Sequence, residues 1–331
     1  MGIHGGDVYR NHVRLDFSVN INPLGIPQCV KEALHSAVSY CSRYPDMEAE
    51  QLKTAVSKYL KVPEEYLLFG NGASELLMAI VHGIRPKKVV IPIPSFYGYE
   101  NAANAVDSEI VFCAVKEMEK FLTEETELLF LANPNNPLGS LLSKDKIKEL
   151  LSFCRNKGIY VVLDECFIEF CGNQSSILSE LEETEGSDCL MLVRAFTKIF
   201  AIPGVRLGYL ICKNRDLRKR IARQIPEWNL SCFAQEAGIL CARQTAFIIE
   251  TENYVTEERK FLEEGLKRKG LQVLPSAANF IMVYSREPLY ERLLEKGILI
   301  RDCSNFRGLG RGFYRIAVKT REENKQLLEN L

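Results

Sequence analysis

The chemistry of this chain gathers around Lys198. It stands in Arg194-Ala195-Phe196-Thr197-Lys198, directly after the apolar run 190–193. A lysine just off a strand end, in tight Gly- and Pro-shaped surroundings, is placed to form an imine with an aldehyde. Thr197 offers a hydroxyl one residue before it. Arg206 follows eight residues on, in Pro203-Gly204-Val205-Arg206-Leu207-Gly208. A hydroxyl and a guanidinium so placed can hold a phosphate. By itself such a lysine reads equally as a solvated loop residue, because lysine is mostly exposed. Other parts of the chain have to decide.

An aldehyde and a phosphate on one small molecule describe pyridoxal 5'-phosphate. That cofactor carries its own chemistry and takes position and electrostatics from the protein. Asp164 ends the apolar run 159–163, where a carboxylate could pair with the cofactor's pyridine nitrogen and keep it protonated. At an effective dielectric of ~20, unit charges ~4 Å apart interact by roughly 4 kcal/mol. Before desolvation that is about three pKa units, enough to decide ring protonation at neutral pH. Gly72-Ala73-Ser74 opens a helix, and free N–H groups with a hydroxyl at a helix start make an anion site. Phe96 could stack on the ring, and Asn136 could donate to its phenolic oxygen. Tyr44, before Pro45, could reach a phosphate across a dimer interface. Arg315 lies in a β-rich run, where a buried cation needs a partner; a substrate carboxylate would serve. Each has a plainer alternative: helix cap for Asp164, turn for Gly72, Asn136 and Tyr44, core for Phe96, internal salt bridge for Arg315.

The elements that must bring these residues together are legible in the pattern. Apolar β-rich runs at 88–93, 128–132, 159–163, 190–193 and 208–212 alternate with helical stretches, one of them from an N-cap at Ser143 to Gly158. Such alternation predicts an α/β fold, with a large domain built on a mainly parallel sheet flanked by helices. In open α/β sheets ligands bind beyond the carboxyl ends of strands, so Gly72, Phe96, Asn136, Asp164 and Lys198 can converge. Residues 1–25 read as an N-terminal arm, 26–212 as the large domain, and 213–331 as a smaller α+β domain. In the last, helices at 215–224, 232–243 and 252–269 precede strands at 279–284 and 313–318.

Composition narrows the partners. The 331 residues carry 42 Lys+Arg against 43 Asp+Glu, a net charge of −1. That balance argues against a nucleic-acid or acidic-membrane partner. Eleven cysteines are scattered without a C-x-x-C pair, which suggests reduced thiols in a cytoplasmic protein without a zinc site. The opening residues lack a basic and then apolar leader, so no signal peptide is expected. No apolar run reaches membrane-spanning length. Gly308-Leu309-Gly310-Arg311-Gly312 has no helix directly after it and does not support a dinucleotide loop.

With these residues assembled, the chain resembles the fold-type I PLP-dependent enzymes of the class I/II aminotransferase family, near histidinol-phosphate aminotransferase, over essentially its whole length. The residues carrying this are Asn133-Pro134-Asn135-Asn136-Pro137-Leu138-Gly139, Asp164-Glu165, Thr197-Lys198 with Arg206, and Arg315 in Tyr314-Arg315-Ile316-Ala317-Val318. Fewer residues lean toward the threonine-phosphate decarboxylase branch of cobalamin biosynthesis. They are His4-Gly5-Gly6, then Asp16-Phe17-Ser18-Val19-Asn20-Ile21-Asn22-Pro23, and Asp302-Cys303-Ser304-Asn305-Phe306. Aminotransferases usually have glutamate where Ile21 stands and tyrosine where Phe167 stands. The resemblance implies Lys198 as the Schiff-base lysine, Asp164 as the pyridinium partner and Asn136 as the phenolic-oxygen partner. Ala73, Ser74, Thr197 and Arg206 would hold the cofactor phosphate, with Tyr44 of a second subunit of a homodimer. Arg315 would bind the substrate carboxylate; His4, Asn20 and Arg301 would lie near its phosphate. Ala195 replaces a frequent Ser or Thr. The implied reaction is decarboxylation of an O-phosphorylated amino acid, L-threonine O-3-phosphate first, with a histidinol-phosphate-type aminotransferase as the alternative.

Overall fold

The computed structural model describes residues 5–331. After β1 (Leu15–Asp16) come α1 (Gln28–Ala37) and α2 (Glu50–Leu60). β2 (Leu67–Asn71) leads into α3 (Ala73–Ile84), β3 (Lys88–Ile93) into α4 (Tyr97–Asn104), and β4 (Glu109–Ala114) into the short α5 (Met118–Phe121). Then follow β5 (Leu128–Ala132), α6 (Lys144–Asn156), β6 (Tyr160–Asp164), β7 (Leu190–Ala195), α7 (Phe196–Ile199) and β8 (Leu207–Ile211). The remainder is α8 (Arg215–Ala222), α9 (Cys232–Cys241), α10 (Thr245–Arg268), β9 (Gln272–Val273), β10 (Phe280–Tyr284), α11 (Leu289–Glu295), β11 (Ile298–Leu299), β12 (Arg301–Asp302), β13 (Phe313–Ala317) and α12 (Arg321–Asn330).

Seven strands form one sheet in the order β2-β8-β7-β6-β5-β3-β4. Four of its six pairings are parallel; β8 runs antiparallel to both β7 and β2. β5, β7 and β8 are buried at every residue, as expected of strands covered by helices on both faces. Hence their near-continuous apolar sequences. Two strands of this sheet escaped the sequence reading, as did the two-residue strands β1, β9, β11 and β12 outside it. β2 ends in Gly70-Asn71, which reads as a turn, and β4 is an edge strand with half-exposed residues. α10 also starts earlier than its pattern suggested, at Thr245. α6 is capped as anticipated, Ser143 accepting from the Lys146 N–H.

A second, antiparallel sheet runs β12-β13-β10-β9. α8 packs on α3, and α9 on α1 and α2. The N-terminal segment is tied to the C-terminal part of the chain. β1 pairs with β11, the Phe17 N–H donates to Leu299 O, and the Phe17 carbonyl accepts from the Ala317 N–H. Among the described residues no helix is long and apolar enough to cross a membrane.

Register explains how distant residues meet. β6 and β7 are parallel, with Asp164 opposite Val193, and Ala132 of β5 lies opposite Asp164. β8 runs the other way, so its start is at this edge: Gly208 opposes Ala195 and Leu207 opposes Asn71. One end of the sheet therefore carries Asn136, Asp164, Lys198, Arg206 and Gly72.

Candidate active site

A cavity of about 290 Å³ opens at that edge. It is lined by Asn20, Ala73, Ser74, Phe96, Asn136, Asp164, Phe167, Thr197, Lys198, Arg206, Arg301 and Arg315, all singled out from sequence. Gly72 stands beside it against Arg206. His4 lies outside the described residues. Tyr44 is elsewhere on the chain: the residue is 79% exposed and its ring sits 5.0 Å from that of Trp228. The cavity also takes in Gly5, Ser18, Val19, Cys166 and Phe306.

Lys198 is on the single turn α7, directly after β7. Its backbone carbonyl accepts from the Asn22 N–H, and the Asn22 amide donates to Ile199 O at 2.6 Å and Thr251 Oγ1 at 2.8 Å. The N-terminal segment thus braces the lysine turn. Lys198 is half-open to the cavity, yet the protein packed around it desolvates the amine. That burial, with the cations Arg315 and Arg206 nearby, pulls its pKa down to about 8. An amine so placed is partly unprotonated near neutral pH, as a nucleophile requires.

Asp164 accepts from Tyr99 Oη at 2.6 Å and from the Cys166 N–H at 2.9 Å. Among the described residues it has no cationic side chain in ion-pair range. The backbone bond resembles the cap considered above, but the carboxylate still faces the cavity. Tyr99 was missed from sequence, since a tyrosine in a helix ordinarily reads as core. It is that too, stacked on Phe130 at 5.2 Å. Phe96 meets Tyr99 edge-on at 5.7 Å.

Gly72 is the N-cap of α3, at φ 75°, with no side chain capping the first turn. A Cβ at Gly72 would lie 2.3 Å from an Arg206 Nη. Glycine thus allows both the left-handed turn and the close seat of the guanidinium on the helix start. Arg206 donates only to Pro203 O, at 3.3 Å, and pairs with no acid among the described residues. Uncapped N–H groups, a guanidinium and the Thr197 and Ser74 hydroxyls make a dianion seat.

In the turn after β5 the asparagines divide their work. Asn133 Oδ1 accepts from the Leu142 N–H; Asn135 accepts from the Leu138 N–H and donates to Pro94 O. Asn136 Oδ1 instead accepts from Arg315 Nη1. A guanidinium only donates, so this contact fixes the amide orientation and leaves the Asn136 NH2 as a donor. Arg315 also donates to Ser18 O at 3.0 Å, while its Nε is buried without a partner. Burial lowers its pKa to about 10. Among the described residues it has no internal salt bridge, the alternative weighed above. Arg301 is also buried without an acidic partner in range; it donates to Asp302 O and to Asn305 Oδ1 at 2.8 Å. Asn20 Oδ1 is buried and unpartnered. The Phe167 ring packs edge-on against Phe280 at 5.2 Å.

These residues fit pyridoxal 5'-phosphate: a depressed lysine, a carboxylate lacking a cation, a ring wall at Phe96 and a phosphate seat on α3. Fold and cavity together define a fold-type I pyridoxal-phosphate enzyme. The chain belongs to the aminotransferase class I and II family, whose model matches residues 13–331. It is 33% identical to threonine-phosphate decarboxylase from Salmonella typhimurium, over 96% of this chain and 90% of that protein. It is 34% identical, at a TM-score of 0.89, to histidinol-phosphate aminotransferase from Clostridium acetobutylicum, covering 96% of this chain and 98% of that one. L-threonine-O-3-phosphate decarboxylase from Porphyromonas gingivalis superposes at a TM-score of 0.87 with 26% identity, covering 96% and 98%.

Proposed function

We propose that this protein decarboxylates an O-phosphorylated amino acid, L-threonine O-3-phosphate before others, giving (R)-1-aminopropan-2-yl phosphate for cobalamin biosynthesis. The observation that carries the reading is the pair of buried arginines, Arg301 and Arg315, at one cavity with Lys198 and without acidic partners. A buried cation without a counter-charge is costly unless a ligand supplies one. L-threonine O-3-phosphate brings two anions on one small skeleton; histidinol phosphate brings only the phosphate, but the 2-oxoglutarate that an aminotransferase also uses brings two carboxylates. Ile21 and Phe167, in place of the glutamate and tyrosine usual in aminotransferases, therefore give the lean toward the decarboxylase.

When bound, pyridoxal 5'-phosphate supplies the electron sink that lets a bond at the substrate's α-carbon break. Lys198 Nζ is the atom that would hold the cofactor, and its amine would be placed to deliver the proton that the α-carbon takes up when CO2 leaves. Asp164, steadied by Tyr99 and the Cys166 N–H, would pair with the ring nitrogen and keep it protonated. The Asn136 NH2 would donate to the phenolic oxygen, and Phe96 would cover the ring. The α3 N-terminus, Ser74, Thr197 and Arg206 take the cofactor phosphate. Arg315 binds the substrate carboxylate through its fork; Arg301, Asn20 and His4 bind the substrate phosphate. Tyr44, exposed beside Trp228 and Met47, completes the cofactor site of a second subunit in a homodimer.

The test offers the cofactor-loaded protein L-threonine O-3-phosphate alone, and histidinol phosphate with 2-oxoglutarate. CO2 is followed in the first and loss of 2-oxoglutarate in the second. Steady CO2 release with little 2-oxoglutarate consumed is the outcome expected. Rapid transamination of histidinol phosphate without CO2 from the amino acid would establish the aminotransferase instead, and a monomer by sedimentation of the same sample would remove the role given to Tyr44.

A further inference from the structure

The two substrate-side arginines sit on neighbouring strands, Arg301 on β12 and Arg315 on β13, with Arg301 opposite Arg315 in the register. The loop between these strands, residues 303–312, supports Arg301 from one side. Asn305 Oδ1 accepts from Arg301 Nη2 at 2.8 Å, and the guanidinium lies 5.2 Å from the centre of the Phe306 ring. Phe306 is itself a wall of the cavity.

The next residue reaches across to the other side of the site. Arg307 donates from Nε to Glu100 Oε2 at 3.0 Å and from Nη2 to Glu100 Oε1 at 2.7 Å, two parallel bonds between fork and fork. The same guanidinium stands 4.4 Å over the Phe112 ring. Glu100 belongs to α4, the helix that begins after Phe96 and carries Tyr99. One bidentate pair therefore joins the helix that steadies Asp164 to the loop that supports Arg301.

Packing alone does not hold that loop. Behind Phe306 and Arg301 lies a second cavity of about 160 Å³, walled by Ile91, Ile93, Phe112, Glu100 and Arg307. It shares Phe96, Arg301 and Phe306 with the first. A ring with space behind it is free to retreat, and the guanidinium stacked on it would lose its backing. The loop is tied within itself, the Phe306 N–H donating to Cys303 O and the Leu309 N–H to Phe306 O, and across that space the Glu100–Arg307 pair joins it to α4.

We infer that Glu100 and Arg307 form a positioning clasp that fixes Asn305 and Phe306 against Arg301, and so sets affinity for the substrate's phosphate. Neither residue takes part in bond breaking. The inference rests on the reading of Arg301 as the phosphate-binding arginine. Glu100 is 18% exposed and Arg307 55%, so the effect is moderate, about three- to ten-fold, in keeping with a bidentate but half-solvated pair.

The experiment titrates inorganic phosphate into the pyridoxal-phosphate-loaded protein by calorimetry. It compares wild type, Arg307→Ala, Glu100→Gln and the double swap Glu100→Arg with Arg307→Glu. Hydrogen exchange at residues 303–312 is measured on the same samples. Both single variants should bind phosphate about three- to ten-fold more weakly and exchange faster in the loop, with cofactor affinity unchanged. The swap should recover most of the loss. With L-threonine O-3-phosphate, KM should rise by the same factor at constant kcat. Unchanged phosphate affinity in both single variants overturns the clasp, as does a loss that the swap fails to recover. If the wild type itself binds no phosphate, the reading of Arg301 falls separately. The clasp is then decided by exchange alone, and unaltered exchange in the loop overturns it.

Discussion

Two clusters of buried charge lie back to back on β6 and β7, and they are built on opposite principles. Behind the strands, Arg194 donates to Glu165 Oε2 from Nε at 3.0 Å and Nη2 at 2.7 Å, and Ser176 Oγ donates to the same oxygen at 2.6 Å. Glu169 stands 3.9 Å away. In front, one residue before Glu165 and four after Arg194, Asp164 and Lys198 face the cavity with Arg206, Arg301 and Arg315. There, among the described residues, three arginines have backbone carbonyls, amide oxygens and aromatic rings as partners and no acid. The rear cluster is neutralised by the fold itself; the front one is left for a ligand to neutralise. Asp164, the last residue of β6, and Glu165, the next along the same extended backbone, fall on opposite sides because side chains alternate. Charge pairing, more than burial, separates the structural cluster from the functional one.

The widest contrast should come from removing one arginine on each side. Arg194→Met strands Glu165, which is wholly buried, and should destabilise the cofactor-free protein by about 3–5 kcal/mol. Arg315→Met removes a cation whose burial already holds its pKa down at about 10. It also gives up hydrogen bonds to Asn136 and Ser18, so its stability should stay within about 1 kcal/mol of wild type. Urea unfolding of both variants decides it. Equal losses would mean that the front cluster is structural as well.

How much of this was legible follows the same division. Residues that act on a ligand leave a sequence signal, because each needs a specific type at a strand end: Lys198 after β7, Asp164 at the end of β6, Asn136 after β5. The strands beneath them read clearly, because β5, β6 and β7 are buried through their middles and there nearly continuously apolar. What could not be read was support across the fold. Tyr99 looks like any core aromatic until its hydroxyl is seen on Asp164. The Glu100–Arg307 pair is separated by 207 residues, and no local pattern joins two such positions. β2 was missed because its Gly70-Asn71 end has the composition of a turn. Arg194 and Glu165 stood within the quoted motifs, but only the register shows them facing away from Asp164.

Glu169 sharpens the picture of the rear cluster, because it is that cluster's unsettled member. Both its oxygens are buried without a hydrogen-bond partner. Arg194 from β7 faces it, as do the hydroxyl-bearing rings of Tyr59 on α2 and Tyr209 on β8, while Glu165 repels it. Burial pushes its pKa up from 4.5 to about 7, against the pull of Arg194. The folded state thus holds this proton more tightly than the unfolded chain. Between pH 4.5 and 7 stability should fall as pH rises, by about 3 kcal/mol in total, and stay reduced above. Glu169→Gln removes that loss. It should match wild type near pH 5 and exceed it near pH 8, read from urea midpoints at each pH. A variant equally destabilised at both would show that Glu169 is ionised and paired in the native state.

The smallest effect probes the front cluster's lone acid. Tyr99→Phe keeps the ring on Phe130 and deletes only the hydroxyl that donates to Asp164 Oδ2. Asp164 would then be steered by the Cys166 N–H alone, free to turn about its own torsion. Hydrogen bonds to charged groups contribute about 1.5–3 kcal/mol. Part of that returns when the freed oxygen finds water in the cavity, so cofactor affinity should weaken about ten-fold. Fold stability should change little, since Asp164 already borders solvent. An unaltered dissociation constant for pyridoxal 5'-phosphate would mean that the backbone bond orients the carboxylate unaided. The front cluster would then differ from the rear in its missing counter-charges, without depending on a second tier of hydrogen bonds behind its acid.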